Sequence, residues 1–253
     1  MQEISSTQNR TYKYIKSLKT KKARMKYRRF TVEGMKSVKD AIKAGADIEC
    51  IALTSELEEE FNFPNTYVVP EQLFPPLCDT DTPQGVIAVV KMPEAENKSA
   101  DKPLYLYCDR VNDPGNLGTI IRICDAVDCG LILSEGTTDI YNPKTVRSSM
   151  GSFFHIDIIS GKNVSYLEEM KKKGYTVAAS ALRGETADYD AVDYTDKSII
   201  VVGNEANGIC REILDIADVC VKIPIWGKAE SLNVGIASAL LVYEAKRKYR
   251  GNI

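Results

Sequence analysis

Histidine is almost missing from this chain: His155 is the only one in 253 residues. Acid–base, nucleophilic or metal chemistry built on imidazole would hang on that single side chain, which sits in a mixed apolar stretch and reads as structural. Tryptophan is equally scarce, with Trp226 alone. The seven cysteines, at 50, 78, 108, 124, 129, 210 and 220, are odd in number and include no C-x-x-C pair. Neither a zinc site nor a disulfide framework is expected, and their apolar neighbours mark them as small buried thiols. No apolar run approaches the roughly 20 residues that span a bilayer, and the opening MQEISSTQNR lacks the apolar core of a signal peptide. A cytoplasmic protein with no membrane partner and no metal is expected. No two glycines are separated by a single residue, which removes the glycine fingerprint of a dinucleotide site and of a glycine-rich Rossmann methyltransferase loop.

What is present is ordinary globular composition, 44% hydrophobic and 27% charged, in a chain long enough for one large domain or two small ones. The net charge of −2 conceals an asymmetry. Between Arg10 and Arg29 there are ten Lys/Arg residues and no acid. Tyr12, Tyr14 and Tyr27 are interleaved with them. A solvated helix face normally mixes signs; an unmixed basic block with aromatics suits a phosphate backbone with unstacked bases. Arg10, Lys13, Lys22, Arg24, Arg28 and Arg29 are the RNA-binding candidates. The balancing acids lie elsewhere, for example in SELEEEF and PEAENKSAD.

Residues 9–20 read as a helix, 27–32 as a strand and 34–45 as a helix closed by Gly45. Short strands at IECIAL and NTYVV, helical turns at SELEEEF and PEQLF, and a last strand in 82–92 complete a small α/β domain over 1–92. The polar stretch 93–102 reads as a linker. From 103 to 253 the pattern changes. Nearly all-apolar strands (LYLYC, LILS, FHIDII, YTVAASAL, SIIVVG, VCVKIPI) alternate with helical segments, as in a parallel sheet covered on both faces.

Three loops of this second domain carry chemistry rather than packing. In DRVNDPGNLGTIIRICDA a Pro-Gly-Asn turn feeds a helix read as starting near Leu117, with Arg122 one turn inside between Ile121 and Ile123. A helix N-terminus offers free N–H groups to an anion, and an arginine among isoleucines suits a phosphate, unless it merely snorkels. In IIVVGNEANGIC a buried strand ends in Gly203-Asn204-Glu205, where α/β sites usually lie. Gly203 and Gly208 have phosphate-loop spacing, but Ile209-Cys210 stand where Lys and Ser/Thr belong, so a P-loop is rejected. In IPIWGKAESLNVGIASALLVYEA, Ser231 is read as capping the final helix, with Asn233 in its first turn. Trp226 suits binding and packing equally.

Together these loops resemble the motifs of the SpoU (TrmH) branch of the SPOUT RNA methyltransferases. The first supplies Asn112, Asn116, Gly118 and Arg122; the second Gly203, Glu205 and Gly208; the third Ile223-Pro224-Ile225-x-Gly227 and Ser231-Leu232-Asn233-Val234, with Ile225 for the usual Met. NPKTVRSSMG matches through Asn142, Lys144, Arg147, Ser149 and Gly151, which adds Arg147 to the RNA-facing candidates. RRFTVEGMKSVKDAI and TPQGVIAVV are similar to the entry and exit of a ribosomal-protein-like substrate-binding domain.

The resemblance implies a C-terminal parallel-sheet SPOUT domain with a deep trefoil knot, against the general rule of unknotted chains, and a small N-terminal α/β RNA-binding domain. It implies S-adenosylmethionine held through backbone groups around Gly203, Ile223 and Leu232, with Ser180, Ala181 and Asn204 close by. It implies a homodimer with the site near its interface, and methyl transfer to a ribose 2′-oxygen. Arg122, Asn116, Glu205, Ser231 and Asn233 are the catalytic candidates. A guanidinium, with a pKa above roughly 12, is expected to orient the hydroxyl and hold a phosphate. The separate N-terminal domain favours 23S ribosomal RNA as substrate. The alternatives are a transfer RNA and, in another class, a non-catalytic RNA-binding protein.

Overall fold

The computed structural model describes residues 2–93, 102–181, 184–194 and 196–251, with the side chains of 249–251 left aside. Most of the expected linker lies outside the described residues. The chain divides into two compact units, Met1–Glu96 with Asp139–His155, and Asn97–Thr138 with Ile156–Ile253.

The first unit holds β1 (Gln2–Glu3), α1 (Arg10–Ser17), α2 (Lys21–Tyr27), β2 (Arg29–Glu33), α3 (Met35–Lys43), β3 (Ile48–Leu53), β4 (Thr66–Val68) and β5 (Val86–Lys91). Its sheet runs β1-β4-β3-β5-β2. The β5 strand is apolar at every position before Lys91 because both its faces are covered. Val86, Ala88 and Val90 face the side of Val38 and Ala41 from α3, whereas Ile87 and Val89 face Tyr12, Ile15 and Leu18 of the N-terminal helical region. Period-2 alternation of the side chains makes one strand serve two cores.

The basic block holds two helices: the one expected over 9–20 is α1, and a second, α2, follows where none was expected. Asn9 caps α1 by accepting from the N–H groups of Thr11 and Tyr12. The first helix closes at Leu18, and Thr20 caps α2 by accepting from Ala23 N at 3.3 Å. Thr20 was the overlooked signal, since a threonine before a basic helical run is an N-cap.

The sequence 139–155 packs in this first unit, although the strands on either side of it belong to the second. Its short helix, α5 (Pro143–Ser148; α4 is Pro114–Val127 of the other unit), puts Val146 into the α3-side core. Tyr141 and Phe153 lie against Phe30, with ring centroids 4.9 and 5.5 Å away. Gly151 has φ +91°, and a Cβ there would stand 2.4 Å from the Asp40 carboxylate. Arg147 donates to Glu33 at 2.8 Å and to Asp79 at 3.0 Å. Arg24 meets Asp139 at 2.7 Å, with side chains 3% and 9% exposed, and donates to the carbonyls of Leu18 and Lys19.

The second unit contains β6 (Leu104–Cys108), α4, β7 (Gly130–Ser134), β8 (Ile158–Lys162), α6 (Val164–Lys172), β9 (Thr176–Ser180), β10 (Ala187–Asp188), β11 (Ser198–Val202), α7 (Arg211–Ile216), β12 (Val219–Lys222) and α8 (Val234–Gly251). The strands are all parallel, in the order β10-β12-β9-β11-β6-β7-β8. Every residue of β6, β7 and β11 is buried, which accounts for their unbroken apolar character. Tyr105, Tyr107, Ile199 and Val201 join Leu167 and Met170 of α6 and Ile213 of α7 in one core. On the chain's other helical layer α4 and α8 pack on each other, and α8 also meets β6 and β11.

Two boundaries differ from expectation. The strand expected at FHIDII starts later, at Ile158, because Ser152–Phe154 form a 3-10 turn after the left-handed Gly151. The helix expected near Leu117 starts at Pro114, because Asp113 accepts from Asn116 N at 2.8 Å and Pro114 fills the first position, where no N–H is needed. Arg122 therefore lies about two turns inside α4. Among the described residues no helix is long and apolar enough to cross a membrane. Of the seven cysteines, Cys50, Cys78, Cys108, Cys124 and Cys129 are buried, and burial pushes the Cys50 and Cys78 thiols up to about 12.

Breaking a buried pair by removing one partner leaves the other charge stranded, at a cost of about 3–5 kcal/mol. Arg24→Ala is therefore expected to destabilise the first unit by that order, read as a lower thermal midpoint in calorimetry without RNA. An unchanged midpoint would show that the Arg24–Asp139 pair holds nothing.

Candidate active site

Parallel strands deliver their C-terminal ends to one edge of the sheet, and the loops that leave this edge of the second unit contain the polar motifs. Neighbouring strands β12, β9 and β11 end at Lys222, Ser180 and Val202. The expected cofactor residues Ile223, the adjacent pair Ser180-Ala181, and Gly203 thus stand side by side through sheet register, although the three places are far apart in the chain. Ala181 N donates to Val221 O at 2.9 Å, which fixes the β9 exit against β12.

The loop after β11 folds back on itself. Asn204 and Gly208 exchange two backbone hydrogen bonds, of 3.0 and 2.9 Å. A Cβ on Gly203 would lie 2.3 Å from the Gly208 carbonyl carbon, so only glycine permits this approach. Asn204 is 8% exposed. Its Nδ2 donates to Arg110 O at 2.8 Å, and its Oδ1 accepts from the N–H groups of Ala206 and Asn207. Every polar group of Asn204 is committed inside the protein. Its side chain braces the loop from within.

That fold-back presents Glu205 to the start of α4. Its carboxylate accepts from Asn112 N at 3.2 Å, from Asp113 N at 3.4 Å and from Asn116 Nδ2 at 3.0 Å. The other end of the Asn116 amide, Oδ1, accepts from Asn233 Nδ2 at 2.8 Å. Asn233 Oδ1 in turn accepts from Gly235 N at 2.9 Å and Ile236 N at 3.3 Å. Asn233 is therefore the N-cap of α8, the place assigned to Ser231 from sequence. Ser231 is exposed and makes no hydrogen bond among the described residues. The chain Glu205–Asn116–Asn233 sets the orientation of both amides, since a carboxylate can only accept.

Burial alone would raise the Glu205 carboxyl. The Asn116 amide and the N–H groups of Glu205 itself, Asn112 and Asp113 outweigh it and hold the group below the usual glutamate range. An anion so held is a poor proton acceptor at neutral pH. Arg122 lies on the exposed side of α4 and makes no hydrogen bond or ion pair among the described residues. It is a cation left available beside the cluster's helix.

Asp109 is a residue the sequence reading missed. It is 3% exposed, accepts from Cys210 N at 2.7 Å and pairs with Arg110 at 3.0 Å. It ties the β6 exit to the start of α7. The available signal was an acid placed directly after an apolar strand. Among the described residues no three His, Cys, Asp or Glu side chains are grouped to hold a metal.

Residues 103–243, more than half of the chain, match the SpoU rRNA Methylase family. The chain belongs to that family. Residues 9–88 match the MRM3-like substrate binding domain. The chain is 37% identical over 250 residues to the 23S rRNA (guanosine(2553)-2′-O)-methyltransferase RlmP of Bacillus subtilis, covering 97% of this chain and 100% of that one. It is 35% identical over 150 residues to the tRNA (guanosine(18)-2′-O)-methyltransferase of Aquifex aeolicus, covering 58% of this chain and 70% of that one. Its fold is similar to the AdoMet-bound rRNA methyltransferase from Sinorhizobium meliloti, with a TM-score of 0.86, 32% identity and 97% of each chain covered.

In this SpoU family member the RNA-side candidates of the first unit separate into two groups. Arg10, Lys13 and Lys22 are exposed, Lys13 bonding only to the Gln8 side chain, and Arg28 donates to Pro93 O at 3.2 Å. Arg29 is paired with Glu49 at 2.6 Å, and Arg147 with Glu33 and Asp79. Arg24 is sealed against Asp139, which corrects its assignment as a phosphate contact: a guanidinium with 3% of its side chain exposed reaches no polymer.

A depressed carboxyl pKa gives stability that is fully present above the ordinary glutamate value and is lost as pH falls through the lower, folded value. Glu205→Gln is expected to be less stable than wild type at neutral pH, with the two melting curves converging on acidification. Methyl transfer should fall roughly 10²-fold as Asn116 loses its position. Curves that stay parallel at all pH values would remove Glu205 from this role.

Proposed function

We propose that this protein transfers a methyl group from S-adenosylmethionine to a ribose 2′-hydroxyl of 23S ribosomal RNA. The observation that carries the reading is the Glu205–Asn116–Asn233 chain, built from the SpoU motif residues at the C-terminal edge of a parallel sheet. Full-length similarity to a 23S rRNA enzyme supports ribosomal over transfer RNA, since the tRNA relative aligns with only 58% of this chain. Action on ribosomal RNA supports a cytoplasmic location for the protein.

The residues present fit the cofactor. Among the described residues the backbone N–H and C=O groups of Gly203, Ile223 and Leu232 make no hydrogen bond within the protein. They stand at neighbouring strand ends and on the loop before α8, free to hold an adenosine. S-adenosylmethionine supplies an electrophilic methyl on a sulfonium. What the chain adds is position. Arg122, a cation without a partner, holds the phosphate beside the target and orients the ribose hydroxyl, and such orientation supplies up to about 7–11 kcal/mol. Asn116 is held by Glu205 and Asn233 so that the first turn of α4 keeps its place under the ribose. Ser231, exposed on the same loop as Leu232, completes the pocket wall. The exposed cations Arg10, Lys13, Lys22 and Arg28 carry the sequence-independent grip on RNA phosphates.

The same reading includes a homodimer. Ile236, Leu240 and Tyr243 of α8 are 53%, 38% and 54% exposed. Their spacing puts them on one stripe of the helix, beginning within a turn of Asn233. A second copy on that stripe would stand beside the site. The reading also includes the knot: β12 pairs inside β10, and α8 returns to pack on α4, β6 and β11 in the middle of the sheet.

Mass-spectrometric mapping of ribose methyls in total RNA, with and without the gene, tests the reaction. Loss of one site in 23S RNA is expected; loss in a transfer RNA instead would reassign the substrate. Arg122→Ala is expected to bind S-adenosylmethionine normally in calorimetry while losing roughly 10²-fold or more in turnover. Full turnover would sink the Arg122 assignment. Leu240→Arg with Tyr243→Arg is expected to halve the mass seen by light scattering; a wild type that already runs as a monomer would refute the dimer.

A further inference from the structure

Trp226 is 94% exposed, which is more than any other large hydrophobic residue among those described. It stands on the segment that joins β12 to Asn233, and Trp226 to Asn233 are all exposed. Tryptophan carries the largest stacking surface of any side chain, and leaving it in water is unfavourable unless something covers it in use.

The degree of exposure says what kind of partner that is. Small-molecule pockets are concave, and an aromatic lining one is partly buried by the other walls even when the pocket is empty. A ring with 94% of its surface open lines no recess, so its partner is a macromolecule that comes to it. The chemistry around it separates the two macromolecules at hand. A protein interface centre is apolar, and that character belongs to the Ile236, Leu240 and Tyr243 stripe of α8. Trp226 is followed instead by Gly227, Lys228, Ala229, Glu230 and Ser231, small or charged residues. The far end of this segment is Asn233, bonded to Asn116, on whose helix Arg122 exposes an unpaired cation. An open aromatic ring with a lysine two residues along the same exposed segment is the arrangement that stacks an unpaired nucleobase and holds its phosphate.

We propose that Trp226 is a stacking platform for an unpaired base of the RNA, flanking the ribose that receives the methyl. This rests on the RNA methyltransferase reading above. The ring positions RNA and touches neither cofactor nor reacting atoms, so Trp226 is a positioning residue.

Because the chain has one tryptophan, fluorescence excited at the red edge, where tyrosine does not absorb, reports on this ring alone. Titration of the full-length protein with deproteinised 23S RNA from cells lacking the gene is expected to quench the emission, whereas S-adenosylmethionine alone leaves it unchanged. Trp226→Ala is expected to raise KM for that RNA roughly 5- to 150-fold, with kcat and S-adenosylmethionine affinity kept, and Trp226→Phe to recover most of the loss. Wild-type KM in Trp226→Ala would overturn the inference while leaving the proposed reaction intact. So would quenching by S-adenosylmethionine alone, which makes the ring a cofactor contact, or emission that follows protein concentration but not RNA, which makes it a contact between copies. Wild-type protein that methylates no RNA would overturn the reaction; quenching by RNA in that case would still support the platform.

Discussion

The carboxylate of Glu205 joins segments that are remote in the chain. Its partners Asn112, Asp113 and Asn116 lie 93, 92 and 89 residues away, and Asn116 passes the connection on to Asn233, another 117 residues distant. Backbone N–H groups at a helix start, an amide and a carboxylate form one hydrogen-bonded unit. Because a carboxylate has no proton to give at neutral pH, each donor has one way to point. The α4 start, the loop after β11 and the cap of α8 are thereby held in a fixed mutual geometry. A methyl transfer that works by orientation needs this more than it needs an ionisable base. The pocket walls follow: Gly203 allows the loop to close, Asn204 uses every polar group to keep it closed, and Asp109 holds the next strand exit.

The first unit borrows 139–155 from between two strands of the parallel sheet. Arg24 with Asp139, Arg147 with Glu33, and Phe30 under Tyr141 and Phe153 make that stretch part of its core. A motif that reads in sequence as part of the methyltransferase half is thus in structure an element of the substrate-binding half. It also explains why an uninterrupted run of lysine and arginine is not uniformly a nucleic-acid surface. Some of these cations serve the fold, at sites where a buried acid waits for them, and the remainder are left in water for a partner.

Much was legible beforehand. Unbroken apolar strands alternating with helices predicted a parallel sheet, because only a sheet covered on both faces tolerates them. The three motifs, taken together, indicated the family and the polar residues of the site. Local signals were misread where a single capping residue decides: Thr20 starts a second helix that was not expected, Asp113 moved the start of α4, and Asn233 displaced Ser231 as the cap of α8. These errors are small in residues but they matter, since a cap fixes which side chain faces inward.

What the sequence determined by itself was therefore the class of fold, the identity of the motif residues and the charge that RNA would meet. Periodicity, composition and short-range motifs express those directly. Only the tertiary structure decided which motif residues touch, that Asn204 is a strut, that Arg24 is buried while Arg122 is free, and that residues 139–155 belong to the first unit. Each of those depends on contacts between segments tens of residues or more apart, and no local pattern encodes which acid a given arginine will find.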